Sequence, residues 1–330
     1  MTAPADRTPA VNVVHPAQGA PVVTLTVNPA LDVSTSTERV EPEHKLRCGP
    51  SRTDAGGGGV NVSRVIHRLG GQSIAIYAVG GPTGQAYRQL LEADGIIGRA
   101  IPIDGSTREN VTIDELSTGR QFRFVLQGPH LTTDEWSACL AAAQRAMTPG
   151  GYVVASGSLS PGMPDDFYAR VARSARAIGA RCIVDASGPA LASALREGVH
   201  LVKPSARELG ELVGRALPDL ESRVDAAREL VARGASEVVA LTLGGDGAVL
   251  VTADGVTRLE VPPVEVHSTV GAGDSFLAAL VLRLAQGRDL DAAFRAGVAA
   301  GTATAMTEAT ELCHRDDVER LEAQLLAARG

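Results

Sequence analysis

The sequence predicts an α/β fold built on a mostly parallel sheet covered by helices on both faces. Three observations predict it. From residue 21 onward, short apolar runs of strand character alternate with amphipathic helical runs. Glycines are unusually many, 36 in 330 residues, and gather in clusters such as Gly56-Gly57-Gly58-Gly59 and Gly244-Gly245, which suits turns where backbone approaches a ligand or another strand. Two polar-apolar stretches, 33–48 and 100–125, fall outside the alternation and suit a small separate sheet that projects from the main body.

Each element follows from its own pattern. The run 22–27 (VVTLTV) is a short apolar strand, and 60–69 is a helix with Val62, Val65, Ile66 and Leu69 on one face. A strand is expected over 73–79 and a helix over 85–93, closed by Asp94-Gly95. Further strands fit 152–155, 181–184, 200–202 and 238–242; helices fit 165–177, 206–213, 220–233 and 273–285, then 292–306 and 316–328. The run 261–266 reads as β-rich, broken by Pro262-Pro263. Residues 1–20, rich in Ala and Pro and without an apolar segment, read as a flexible extension before one large unit over 21–330.

Composition narrows the partners. A net charge of −7 excludes the broad basic footprint of a nucleic-acid binder, so any anionic ligand must be held by local cations. No apolar run is long enough for a membrane span. The four cysteines, Cys48, Cys139, Cys182 and Cys313, show neither CxxC pairing nor zinc spacing, which fits a reduced, cytoplasmic protein. His67, His200 and His267 stand alone and read as core or surface residues, and Trp136 reads as a packing residue on a helix.

Chemistry concentrates in Ser268-Thr269-Val270-Gly271-Ala272-Gly273-Asp274-Ser275, placed directly before an apolar helix. Unpaired N–H groups at a helix N-terminus attract anions, and an adjacent carboxylate can take a proton from a hydroxyl. Phosphoryl transfer to an alcohol needs both parts. An Asp in this place also caps the helix. A second cluster, Gly56 to Gly59 followed by Asn61, makes a backbone surface beside an amide that donates to and accepts from sugar hydroxyls. The Walker phosphate loop, the G-x-G-x-x-G fingerprint and the protein-kinase signatures are all absent.

With both glycine motifs in order, the chain resembles the ribokinase-like carbohydrate kinases, the phosphofructokinase-B family, over essentially residues 21–325. Lys45-Leu46-Arg47-Cys48, the unbroken Gly56-to-Gly59 run, Ser156-Gly157-Ser158-Leu159 and Val202-Lys203-Pro204 are similar to the minor 6-phosphofructokinase type. The resemblance implies a three-layer α/β/α sandwich with a small β-sheet lid over segments 33–48 and 100–125, and a homodimer joined through that lid. It implies Asp274 as catalytic base, with the N–H groups of Gly271, Ala272 and Gly273 as anion hole. Asp32, Lys45, Gly57, Gly58, Asn61, Arg108, Asn110, Arg123 and Ser158 would hold a sugar phosphate. Lys203, Ser205, Thr242, Gly244, Gly245 and Gly247 would face ATP, and Glu208 would act on Mg²⁺ through water. A K⁺ site is implied among carbonyls near Thr269 and residues 300–311. Ser205 stands where the family's Asn-x-x-Glu motif has Asn. Gly58 stands where fructose-1-phosphate and tagatose-6-phosphate kinases carry a lysine, which points to fructose 6-phosphate, whereas Asn28-Pro29 is similar to those other kinases.

Overall fold

In a computed structural model, residues 19–328 are described. The extension expected over 1–20 lies outside them except for Gly19 and Ala20; the Ala20 N–H donates to the Ala285 carbonyl at 2.7 Å.

The chain opens with β1 (Val22–Thr26), β2 (Ala30–Thr37), β3 (Arg52–Gly56), α1 (Gly58–Arg68), β4 (Ile74–Val79), α2 (Gly81–Ala93) and β5 (Gly98–Pro102). Next come β6 (Arg108–Glu115), β7 (Arg120–Val125), α3 (Thr133–Ala146), β8 (Tyr152–Ser156), α4 (Phe167–Ala177), β9 (Arg181–Asp185), α5 (Gly188–Glu197) and β10 (Val199–Val202). The last third holds α6 (Ala206–Val213), α7 (Leu220–Ala232), β11 (Ser236–Thr242), β12 (Ala248–Val251), β13 (Val256–Leu259), α8 (Ala272–Ala285), α9 (Leu290–Ala305) and α10 (Arg315–Ala327).

Nine strands form the main sheet in the order β13-β12-β11-β10-β9-β8-β1-β4-β5. Pairing is parallel from β11 to β5, and β12 and β13 add an antiparallel hairpin edge. The central strands β1 and β8 are buried along their whole length, as continuous apolar runs in a sheet covered on both faces should be. One face packs against α3 to α7, with Phe167, Tyr168, Leu191 and Leu230 in its core. The other packs against α1, α8, α9 and α10 around Phe276, Leu280, Phe294 and Leu321. Trp136, on α3, meets Phe167 edge-on and carries the Arg170 guanidinium over its ring, a packing role as expected.

A second sheet of four strands, β3-β2-β6-β7, stands apart from the main one. It uses both irregular stretches, with two differences. Residues 100–102 belong to β5 and extend the main sheet beside β4. Residues 38–51 form no strand, so Lys45 lies on an irregular crossing between β2 and β3. The run 261–266 is not a strand either: Pro262 and Pro263 lack the N–H a ladder needs, and the segment stays irregular. Two helices lie where no helix range was expected, α3 around Trp136 and α5 behind the Pro189 at its first turn.

Candidate active site

In a parallel α/β sheet, ligands gather at the carboxyl ends of the strands. Here the ends of five neighbouring strands supply polar groups: Asn28 just after β1, Ser156 on β8, Asp185 on β9, Lys203 just after β10 and Thr242 on β11. The N-terminus of α8 points at this row. Gly271, its N-cap, has φ 77°, a left-handed conformation that suits glycine and leaves the helix without a side-chain cap. The N–H groups of Gly271, Gly273 and Asp274 have no hydrogen-bond partner among the described residues. The Ala272 N–H, in contrast, donates to the Thr269 carbonyl at 3.3 Å, so of the expected donors it is the least available.

Asp274 sits in the first turn and accepts from Asn61 Nδ2 at 2.8 Å. Burial, reinforced by the negative charge of Asp185, pushes its carboxyl up to about 7; Asn61 and Lys203 only partly offset this. The Lys203 ammonium is buried and ion-paired with Asp185 at 3.1 Å. Burial would lower its pKa, but Asp185 and Asp274 outweigh that and raise it, so it stays charged. A Cβ at Gly273 would lie 3.1 Å from Lys203 Nζ, which shows how closely the ammonium underlies the helix start. Lys203, which the resemblance directs toward ATP, sits between Asp185 and the start of α8, next to the Gly273 that also borders a cavity.

The side of Asp274 that carries Asn61 is built from two glycine loops and the small sheet. Gly56, Gly57, Gly58 and Gly59 are constrained by contact, and Gly57 also by its φ of 120°: a Cβ at Gly58 would lie 2.1 Å from Ser156 Oγ, and one at Gly56 1.9 Å from Asp32 Oδ2. Asp32 accepts from Asn110 Nδ2 at 2.8 Å, and burial raises its pKa against the pull of Asn110, Arg108 and Arg123. Arg108 donates to the carbonyls of Asn28 and Leu126, both at 3.0 Å, so it ties the small sheet to the end of β1. Asn28 Nδ2 reaches Ser158 Oγ at 3.1 Å. These contacts gather Asp32, Gly57, Gly58, Asn61, Arg108, Asn110 and Ser158 at a cleft between the small sheet and the strand ends, where Asn61 meets Asp274 and the Asp32 charge also reaches it. Arg123 lies exposed on β7, close enough to act on the Asp32 charge. Lys45 is exposed and makes no hydrogen bond or ion pair among the described residues.

A cavity of about 500 Å³ lies on the other side of the α8 N-terminus. Ser205, Thr242, Gly244, Gly245 and Gly247 line it, together with Ala272 and Gly273 at the start of α8. Apart from Thr269 and Thr302, its remaining wall is apolar, with Val261, Val264, Val266, Phe276 and Val298 the large side chains. Polar groups at one end and an apolar slot at the other suit a nucleotide whose phosphates point at Gly273. Ser205 caps α6: its Oγ accepts from the Glu208 N–H at 3.2 Å, while Glu208 Oε2 accepts from the Ser205 N–H and hydroxyl, both at 2.8 Å. Glu208 is therefore held by the cap, next to Asp185, whose pKa it helps to raise after burial. No group of three or more potential ligands surrounds a metal position among the described residues. The donor set that remains, one or two carboxylates beside a nucleotide cavity, fits Mg²⁺ shared with phosphates.

The sequence matches the family described as pfkB family carbohydrate kinase over residues 20–316. The chain belongs to the pfkB family of carbohydrate kinases. Among its relatives, the ATP-dependent 6-phosphofructokinase isozyme 2 of Mycobacterium tuberculosis is 46% identical over 91% of this chain and 88% of the relative. The 1-phosphofructokinase of Bacillus subtilis is 33% identical over 93% and 99%. The crystal structure of phosphofructokinase-2 from Escherichia coli in complex with fructose-6-phosphate superimposes with a TM-score of 0.88 at 37% identity, covering 93% of this chain and 99% of that one.

Two contributions to this pfkB site were not anticipated from sequence. Asp185 is a single carboxylate after an apolar strand, and its position at a strand's carboxyl end was the only available signal. The apolar slot comes partly from 261–266, which sequence assigned to a strand and which is instead the irregular wall of the cavity.

Proposed function

We propose that this ATP-dependent sugar-phosphate kinase phosphorylates fructose 6-phosphate at the 1-hydroxyl to give fructose 1,6-bisphosphate. The observation that carries the reading is Asp274: a carboxyl with pKa about 7 at an uncapped helix N-terminus, between an acceptor cleft and a nucleotide cavity. A base of that pKa is half deprotonated at neutral pH and retains a useful driving force for taking a hydroxyl proton. Asp32 and Asn61 orient the sugar, and Arg108, Arg123 and Lys45 bring the positive charge that its phosphate needs. Free N–H groups of Gly271 and Gly273 stabilise the charge on the transferring phosphoryl group.

Mg²⁺ would be held by Glu208 through water and by Asp185, and would supply neutralisation of the nucleotide's phosphate charge. For K⁺, the carbonyls of Ala309 and Glu311 each accept one hydrogen bond and keep a second lone pair, whereas the Ala305 carbonyl already accepts from the N–H groups of both His267 and Ser268. The homodimer is supported by Leu116, Phe124, Val125 and Leu126, all at least half exposed on the small sheet and its exit. The sheet would then serve both as lid and as dimer contact. No described helix is long and apolar enough to cross a membrane, and a cytoplasmic setting is proposed on the free thiols.

A second reading, 1-phosphofructokinase or tagatose-6-phosphate kinase, is favoured by Asn28, whose amide reaches into the cleft at Ser158. Comparing kcat/KM for fructose 6-phosphate, fructose 1-phosphate and tagatose 6-phosphate in a coupled ADP-release assay decides between them. Fructose 6-phosphate should lead, and Lys45→Ala should raise its KM by about tenfold while leaving the KM for ATP alone. Equal efficiency on all three sugars removes the narrow reading.

A further inference from the structure

Tyr87 on α2 and Tyr168 on α4 are fully buried, and each spends its hydroxyl on one glycine carbonyl. Tyr87 Oη donates to the Gly56 carbonyl at 2.9 Å, and Tyr168 Oη to the Gly157 carbonyl at 3.0 Å. These carbonyls belong to the two loops that meet at the acceptor cleft, where a Cβ at Gly58 would lie 2.1 Å from Ser156 Oγ and 3.3 Å from the Gly157 nitrogen. Both loops contain glycine in left-handed conformations, Gly57 with φ 120° and Gly157 with φ 102°. Neither glycine has a side chain of its own to hold the loop in place.

A trans peptide is planar, so a carbonyl and the N–H of the following residue point in opposite directions within one rigid unit. Fixing the Gly56 carbonyl from the core aims the Gly57 N–H away from the core. Fixing the Gly157 carbonyl does the same for the Ser158 N–H. Both N–H groups lack a hydrogen-bond partner among the described residues. We infer that Tyr87 and Tyr168 are positioning residues that aim the Gly57 and Ser158 N–H groups at the anionic acceptor. They act through two peptide planes and touch no substrate themselves. The inference rests on the reading of this cleft as the sugar-phosphate site.

Tyr87→Phe and Tyr168→Phe keep the ring and delete one hydroxyl each. Each should raise the KM for the sugar phosphate roughly 5- to 10-fold, the worth of one hydrogen bond to a buried carbonyl. The KM for ATP should stay within about twofold, because the nucleotide cavity is lined by neither loop. A purely structural role would move both KM values together, or lower only the melting temperature; either result overturns the inference. In the wild-type protein, independent of how the variants fold, the amide resonances of Gly57 and Ser158 should shift on addition of the sugar phosphate. They should hold still on addition of a non-hydrolysable ATP analogue, and shifts absent with the sugar phosphate overturn the proposal. Turnover of fructose 6-phosphate, fructose 1-phosphate and tagatose 6-phosphate by the wild type is the control. Failure on all three removes the reading of the cleft and the inference with it, whereas turnover with unaffected Phe variants removes the positioning role alone.

Discussion

Asp274→Asn separates the two consequences of the buried base, and they run in opposite directions. The gap between the ordinary carboxylate value of 3.8 and about 7 corresponds to about 4 kcal/mol. Because the folded value is raised, the unfolded chain loses this proton first, and the wild type loses stability as pH climbs from about 4 to 7. Asn carries no charge, so its advantage should be near zero at pH 4, grow through that interval and level off above pH 7. Burying the amide takes back part of it, which leaves roughly 2 kcal/mol, or a melting temperature higher by several degrees at pH 8. Activity should fall by about 10²–10⁴-fold, the usual contribution of a general base. In the wild type, kcat/KM should rise tenfold per pH step below about 7 and flatten above it. The assays are thermal melts of both proteins between pH 4 and 8 and coupled ADP release across the same range. Turnover within tenfold of wild type, or an Asn variant that is no more stable at pH 8, refutes the reasoning.

Gly58→Ala should raise the sugar-phosphate KM by up to about 10²-fold, since the new Cβ falls 2.1 Å from Ser156 Oγ and must push the two acceptor loops apart; unchanged sugar kinetics refute it. Ser205→Ala removes the N-cap of the eight-residue α6 and should cost about 1 kcal/mol in urea melts while raising the KM for ATP, because Ser205 also lines the nucleotide cavity. Asp54→Asn tests the buried junction where Asp54 meets Arg52, Arg64 and the Thr310 hydroxyl. Burial alone would raise the Asp54 pKa, but Thr310, Arg52 and Arg64 overcome it and hold it below the usual carboxylate range. Its stabilisation is therefore present above about pH 4 and lost as pH falls through the folded value, so the variant should lose about 2 kcal/mol at pH 7 and nothing in strong acid.

What the sequence made legible was what local chemistry dictates. The helix after Ser268–Ser275 follows from its apolar run, and the uncapped start follows from Gly271, which alone of the expected donors is set by a positive φ. Ser205, Thr242 and Gly244 are grouped in sequence only by the family resemblance, and in the structure they line one cavity. The rest depended on contacts between distant segments. Asp185 looks like any carboxylate after a strand until Lys203, 18 positions later, lies 3.1 Å away. Arg108 reads as a phosphate ligand in sequence, yet two of its nitrogens grip the carbonyls of Asn28 and Leu126, which fixes the small sheet to the main one. The β-rich run 261–266 forms no strand at all, because Pro262 and Pro263, which break it in sequence, remove the N–H groups a ladder needs.

The site also explains why a carboxylate can remain so strained. The charges of Asp185 and Asp32 both act on Asp274, and Lys203 is the single buried ammonium that faces Asp185 and Asp274 among the described residues. A mobile helix would relieve the repulsion by turning Asp274 toward solvent. Helix α8 has no such freedom: Ser275 through Leu282 are all buried, and Phe276 stacks edge-on against Phe294 of α9. Ser275 Oγ is further tied to Thr304 Oγ1 at 2.7 Å, and Thr304 Oγ1 also accepts from the Cys313 N–H at 3.1 Å. The first turn of α8 is thus clamped from behind by a packed core, so the electrostatic cost appears in the protonation equilibrium of Asp274 and not in its position. An anionic acceptor entering the cleft would raise that cost further unless N–H dipoles and the arginines of the small sheet meet its charge. That is the physical reason for surrounding an acidic centre with glycine loops, whose backbone supplies donors without adding another side chain to a crowded cleft.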